Sequence, residues 1–253
     1  MEATTTVKPW FEVKNTSNTA IEIYVMGTIN DEQWANEDVT PGWFKDELEK
    51  VKDARHIHLF VNSDGGSVFA ALAIHNMIKN SKAFVTSHVL GIVASAASWM
   101  IMPSDKIVMP KNAFMMLHLP ATLMFGNKND FRKTADYLDR VENIIVESYL
   151  RGGKKLTEDK VRNMLNAGET WLDGQQAYDV GLVDFVEPPV SVANKGDYVT
   201  FNGFNVDISK FESLPVMPEI IDNDIKTYDE EAMKYYVERA NSIRNRILTS
   251  LKG

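Results

Sequence analysis

The stretch HIHLFVNSDGGSVFAALAIHNMIKN (56–80) changes its period in the middle. Its first seven residues, His56 to Asn62, include Ile57, Leu59, Phe60 and Val61, which predicts a strand. Ser63-Asp-Gly-Gly66 is a turn-forming tetrad, and from Ser67 to Asn80 apolar residues recur at helical spacing. Strand, glycine turn and helix make up most of one β-α-β unit. Two glycines let backbone N–H groups approach a ligand closely. A helix N-terminus behind them suits a negative charge or an oxyanion. A turn that only needs positive φ reads the same way. The Lys-Ser/Thr end of a phosphate loop is missing, so no ATPase activity is implied.

The same succession repeats on either side. IEIYVMG (21–27) reads as a strand, and Thr40-Pro41 as the N-cap and first position of a helix running to about Asp53. AFVTSHV (83–89) reads as a strand closed by a turn at Gly91, and SAASWMIM (95–102) as a short buried helix. Strands are expected near 106–109 and 114–118, and a long helix between Gly126 and Gly152. Thr157-Glu-Asp159 opens a further helix, Asp173 caps a short one, and a strand follows near 182–186. Strands alternating with helices predict an α/β fold with a largely parallel sheet.

Residues 1 to about 18 read as a loose arm, and the working domain as 1–188. The texture changes after Val186: Pro188-Pro189 and a Ser/Asn/Gly-rich stretch suggest a linker, and 198–226 shows no strong period. Thr227-Tyr-Asp-Glu230 is a capping-box pattern, and behind it Met233, Val237, Ala240, Ile247 and Leu251 form an apolar stripe. Residues 189–253 thus read as a linker and C-terminal extension with an amphipathic helix over 228–251.

The composition excludes several functions. Among 253 residues, 27 Lys and Arg face 35 Asp and Glu, a net charge of −8 that argues against a nucleic-acid surface. With no cysteine there is no disulfide framework, thiol nucleophile or thiolate zinc site. The first residues contain no apolar h-region, and no apolar run reaches the ~18 residues of a membrane span, so a cytoplasmic protein with no membrane partner is expected.

GIVASAAS (91–98) is the second stretch where chemistry could sit. Ser95 stands at the start of a small-residue helix, with the Ala96 amide beside it at the positive end of the dipole. It could be a nucleophile or simply an N-cap, whereas Ser98, three residues on, reads as packing. His118 ends the apolar strand FMML before Leu-Pro, a chain exit where an imidazole can face a cleft as general base. His56 and His58, at strand spacing, lack an acid or third ligand for a metal and read as structural; His75 and His88 have no local support. No metal site and no cofactor is expected.

In order and spacing, NSDGGSVFAALAI, GIVASAAS, FMMLHLP and ETWLDGQQAYDVGLVD resemble the ClpP family of serine peptidases, over roughly residues 20–187. The resemblance implies a ClpP/crotonase-like β-superhelix of repeated ββα units. It places the nucleophile on Ser95, the general base on His118 and the oxyanion amides on Gly66 and Ala96. The family's aspartate falls on Glu169, a departure, with Asp173 as the rival acid unless it serves as an N-cap. Residues 127–151 correspond to the handle helix that meets other subunits, which implies a homo-oligomeric ring.

The start of the chain and the acidic insert Asn30–Asp38 are unlike the region by which the family engages an ATPase, which argues against such a partner and for an endopeptidase acting without ATP by itself. Glu169 and the extension are most similar to the ClpP-related head maturation proteases of tailed phages and prophages. Those would process capsid or scaffold protein in the prohead, within the bacterial cytoplasm. Two alternatives stay open: an assembly or scaffold module with a weak or inactive site, and a crotonase-type acyl-CoA enzyme.

Overall fold

The computed structural model describes residues 14–17, 20–32, 38–150, 155–190, 192–195, 198–201, 204–207, 209, 211 and 213. The helix expected over 228–251 lies outside the described residues, as do 1–13 of the expected arm.

The first elements are β1 (Lys14–Ser17), β2 (Ala20–Met26), α1 (Pro41–Lys50), β3 (His56–Ser63), α2 (Val68–Lys79), β4 (Phe84–Ala94) and α3 (Ala96–Met100). Then come β5 (Lys106–Pro110), β6 (Phe114–Leu117), α4 (Lys128–Tyr149), α5 (Glu158–Asn166), β7 (Thr170–Asp173), α6 (Gly174–Val180) and β8 (Phe185–Glu187). Three short strands follow, β9 (Val192–Lys195), β10 (Tyr198–Phe201) and β11 (Phe204–Asp207).

The main sheet runs β1-β2-β3-β4-β5-β8, and β2, β3, β4, β5 and β8 pair in parallel. Parallel pairing needs crossovers, and α1 and α2 supply them between β2, β3 and β4. The fold is therefore mixed α/β with a parallel sheet. Ile23, Val25, Leu59, Val61, Ala70, Ala71 and Ile74 belong to the core between sheet and helices. Tyr24, Met26 and Phe60, which alternate with them along the strands, form a second cluster. The three-stranded sheet β11-β10-β9 lies near the backbones of β3 and β4.

Several elements differ from the sequence expectation. Lys14–Ser17, placed in the loose arm, pair antiparallel with β2, because a polar edge strand carries no hydrophobic signal. The segment expected as a linker without period contains β9, β10 and β11, each four residues long and too short to show alternation. β4 does not end before Gly91 but continues through it to Ala94. A register irregularity between β3 and β4, from Val61↔Val89 to Ser63↔Val93, absorbs the glycine. The Ile92 N–H there donates to Asn62 Oδ1 at 3.0 Å.

That extra length matters for the site. The first half of β4 pairs with β5 (Thr86↔Lys106 to His88↔Val108), and its last residues pair with β6 (Ile92↔Phe114 to Ala94↔Met116). The sheet therefore branches, and β7 adds antiparallel to the far side of β6.

Candidate active site

Three strands deliver the candidate residues. β4 ends at Ala94, paired with Met116, so Ser95 follows directly beyond the ladder, and its N–H donates to Met116 O at 3.0 Å. β6 ends one residue before His118. The β6–β7 ladder closes at Leu117↔Thr170, and one step further along each antiparallel strand stand His118 and Glu169. The topology thus brings Ser95, His118 and Glu169 to one end of three adjacent strands.

Ser95 is the only non-glycine residue with positive φ among the described residues, at φ 52° and ψ −124°. Such a conformation costs on the order of 1–3 kcal/mol and persists only where neighbours enforce it. Although Ser95 holds the N-cap position of α3, its side chain makes no cap bond. Its Oγ instead lies 2.7 Å from His118 Nε2. A serine hydroxyl donating along this line makes Nε2 the acceptor and leaves the ring proton on Nδ1.

Gly65 and Gly66 explain the enforcement. Both have positive φ, 98° and 137°. A Cβ on Gly65 would meet Ala94 O at 2.7 Å, Ser95 Cβ at 2.8 Å and Ala96 N at 2.9 Å, so the glycine turn lies directly against the serine turn. Ile29 N–H donates to Gly65 O and Ser67 N–H to Ile29 O, both at 2.7 Å. In such a parallel bridge the intervening residue, Gly66, turns its own N–H away from Ile29. Ala96 is the first residue of α3, so its N–H has no carbonyl inside the helix to bond.

Buried groups support the serine from behind. Ser98 Oγ donates to Ser95 O at 2.6 Å and lies 2.6 Å from Tyr149 Oη. Because the single Ser98 hydroxyl proton goes to Ser95 O, Tyr149 must donate to Ser98 Oγ. Burial pushes the Tyr149 phenol well above its ordinary range, so it stays a donor. Tyr149 comes from the buried C-terminal part of α4, with Val141, Ile145 and Val146, while Phe131, Tyr137 and Ile144 of the same helix stay exposed.

The two candidate acids have different partners. Asp173 caps α6, its carboxylate accepting from the Gln176 N–H at 2.8 Å while Gln176 returns a bond to the Asp173 N–H. Glu169 Oε2 accepts from the N–H and the hydroxyl of Ser213, at 2.8 and 3.0 Å.

The other histidines lie elsewhere. His75 is buried in α2 with Nδ1 3.1 Å from Trp99 O, and burial lowers its pKa. His58 Nδ1 lies 3.0 Å from His88 Nε2 on the sheet face, where His88 stacks on Phe60. His56 is exposed and stands near the Phe84 ring. Among the described residues no group of three or more His, Asp or Glu is placed to hold a metal, and no helix is long and apolar enough to cross a membrane.

Comparison with known proteins decides the family, because the sequence profile of Clp protease matches residues 9–189. The chain belongs to the Clp protease family. It is 30% identical over 165 residues to the ATP-dependent Clp protease proteolytic subunit of Ligilactobacillus salivarius (strain UCC118), covering 64% of this chain and 80% of that protein. Proteolytic subunit 2 of Corynebacterium efficiens is 28% identical over 155 residues, 57% of this chain and 74% of that one. The subunit of Mesostigma viride is 28% identical over 154 residues, 59% and 66%. Membership in the Clp protease family makes the chain a ClpP-like peptidase.

Sequence reasoning singled out Ser95 and His118 as candidates from residue type and position, and took their roles and that of Glu169 from the ClpP resemblance. It missed the Tyr149–Ser98 pair, since Ser98 inside a small-residue helix signals only packing. It also missed Ser213, which carries no motif.

Proposed function

We propose that this Clp protease family member is a serine-type endopeptidase with Ser95 as nucleophile, His118 as general base and Glu169 as the acid behind it. The observation that carries the reading is the 2.7 Å contact of Ser95 Oγ with His118 Nε2. Ser95 attacks the peptide carbonyl while Nε2 takes its proton, and the imidazolium then protonates the leaving amine. Water repeats the sequence to free the acyl group. The N–H groups of Gly66 and Ala96 hold the tetrahedral oxyanion, each such donor contributing about 3–4 kcal/mol in comparable sites. Glu169, opposite His118 by register, orients the Nδ1–H and stabilises the imidazolium.

The same reading includes a superhelix of ββα units and a homo-oligomeric ring acting on a protein substrate. A role in phage head maturation, on capsid or scaffold protein, rests on the resemblance of the Glu169 block and on the extension past residue 189. A fluorophosphonate probe tests the chemistry: it should label Ser95, and Ser95→Ala or His118→Ala should abolish both labelling and proteolysis. Residual proteolysis by Ser95→Ala overturns the reading. Co-expression with a capsid or scaffold protein of a tailed phage tests the role, since wild type but not Ser95→Ala should produce cleaved forms.

A further inference from the structure

The family profile ends at residue 189, yet the chain beyond it returns to the candidate site. Val190 is fixed by Asn112, whose side-chain amide donates to Val190 O at 2.6 Å while Asn112 Oδ1 accepts the Val190 N–H at 2.7 Å. After β9, β10 and β11, Phe211 stands edge-on to Trp171, with ring centroids 5.0 Å apart and planes at 86°. Ser213 then reaches Glu169 with both its N–H and its hydroxyl. As the extension advances from 211 to 213, its partner on the other strand retreats from 171 to 169, the relation of antiparallel neighbours.

We propose that Ser213 is a positioning residue for Glu169, so that the extension completes a site whose other members all lie within the family-matched stretch. The proposal rests on Glu169 being the third member of the site. A glutamate has one more rotatable bond than the aspartate expected there and so more ways to miss His118. Two donors on the single oxygen Oε2 restrict both the side-chain torsions and the plane of the carboxylate. Phe211 on Trp171 sets the depth of this clamp two residues away.

The test uses the full chain and reads kcat and KM separately on a fluorogenic peptide, together with the rate of phosphonate labelling of Ser95. Ser213 is exposed, so losing its hydroxyl should be modest: Ser213→Ala should lower kcat about three- to tenfold with KM unchanged. Ser213→Thr, which keeps both donors, should restore the rate. In a Glu169→Gln background Ser213→Ala should cost nothing more.

Full activity of Ser213→Ala, increased activity, or an undiminished loss in the Glu169→Gln background each overturns the proposal while leaving Glu169 in its role. If Glu169→Gln alone is as active as wild type, or wild type is not labelled at Ser95, the reading of the site falls and the proposal with it.

Discussion

Tyr149 and Ser98 share a buried hydrogen bond of 2.6 Å, and Ser98 hands its own proton to the carbonyl of Ser95 at the same distance. The hydroxyl at the end of the long α4 is thereby one serine away from the candidate nucleophile. Tyr149→Phe should remove one bond and keep the packing, lowering stability by about 1 kcal/mol in urea denaturation. Ser98→Ala should cost more, up to about 3 kcal/mol, because it leaves both the Tyr149 phenol and the Ser95 carbonyl without this partner in a buried site. Both variants should slow phosphonate labelling of Ser95, and unchanged labelling would show that the turn holds without them.

Strain at Ser95 makes a prediction of opposite sign. At φ 52° any side chain is penalised, and Ser95→Ala keeps the penalty. Ser95→Gly should release it, against about 0.5–1 kcal/mol of extra backbone entropy in the unfolded chain. Ser95→Gly is therefore expected to be about 1 kcal/mol more stable than Ser95→Ala, while both lack activity. Equal denaturation midpoints would mean that the positive φ is stored at no cost.

Gly65→Ala should damage the site before it damages the fold. Its methyl would clash with Ala94 O, Ser95 Cβ and Ala96 N, displacing the candidate nucleophile and one candidate oxyanion amide together. We expect at least a hundredfold drop in labelling rate, the scale of losing one oxyanion donor, with far-UV circular dichroism retained.

The two acids separate cleanly. Asp173→Ala should cost about 1 kcal/mol of stability through the lost cap of α6, with kcat per folded molecule unchanged. Glu169→Gln should do the reverse, keeping stability near that of wild type and depressing kcat. A large kcat loss in Asp173→Ala would reassign the third member.

Buried His75 predicts a pH dependence. Its folded pKa lies below the ordinary 6.5, chiefly from burial, with Lys79 adding to the depression and the Trp99 carbonyl opposing it. As pH falls through 6.5 the unfolded chain binds a proton that the folded chain refuses, so stability falls. Tm should therefore decline between pH 7 and 5, and His75→Gln should remove this part of the slope, measured by differential scanning calorimetry. An identical slope in the variant would place the acid sensitivity elsewhere.

The strand–glycine–helix succession was legible because each residue type there has a backbone reason: β-branched residues for β3, glycines for positive φ, small residues for α3. Ser95 and His118, which the structure brings within 2.7 Å, could be singled out as candidates because both stand where an element ends. The length of β4 was not, since Gly91 reads as a turn but is absorbed by a register irregularity. β7 was not, since four residues pairing only with β6 carry no periodic signal. The positive φ of Ser95 has no signature in a residue that is not glycine. Nor could sequence reveal that Ser213 meets Glu169, a contact across 44 positions made by a residue without a motif.

β7 joins the branched sheet through β6 alone and is separated from it in sequence by the whole of α4 and α5. A ribosome therefore makes Ser95 and His118 well before Glu169, and the growing chain carries the candidate nucleophile and base before the candidate acid. On the proposed reading translation orders the site, and the acid is the last of the three to be made.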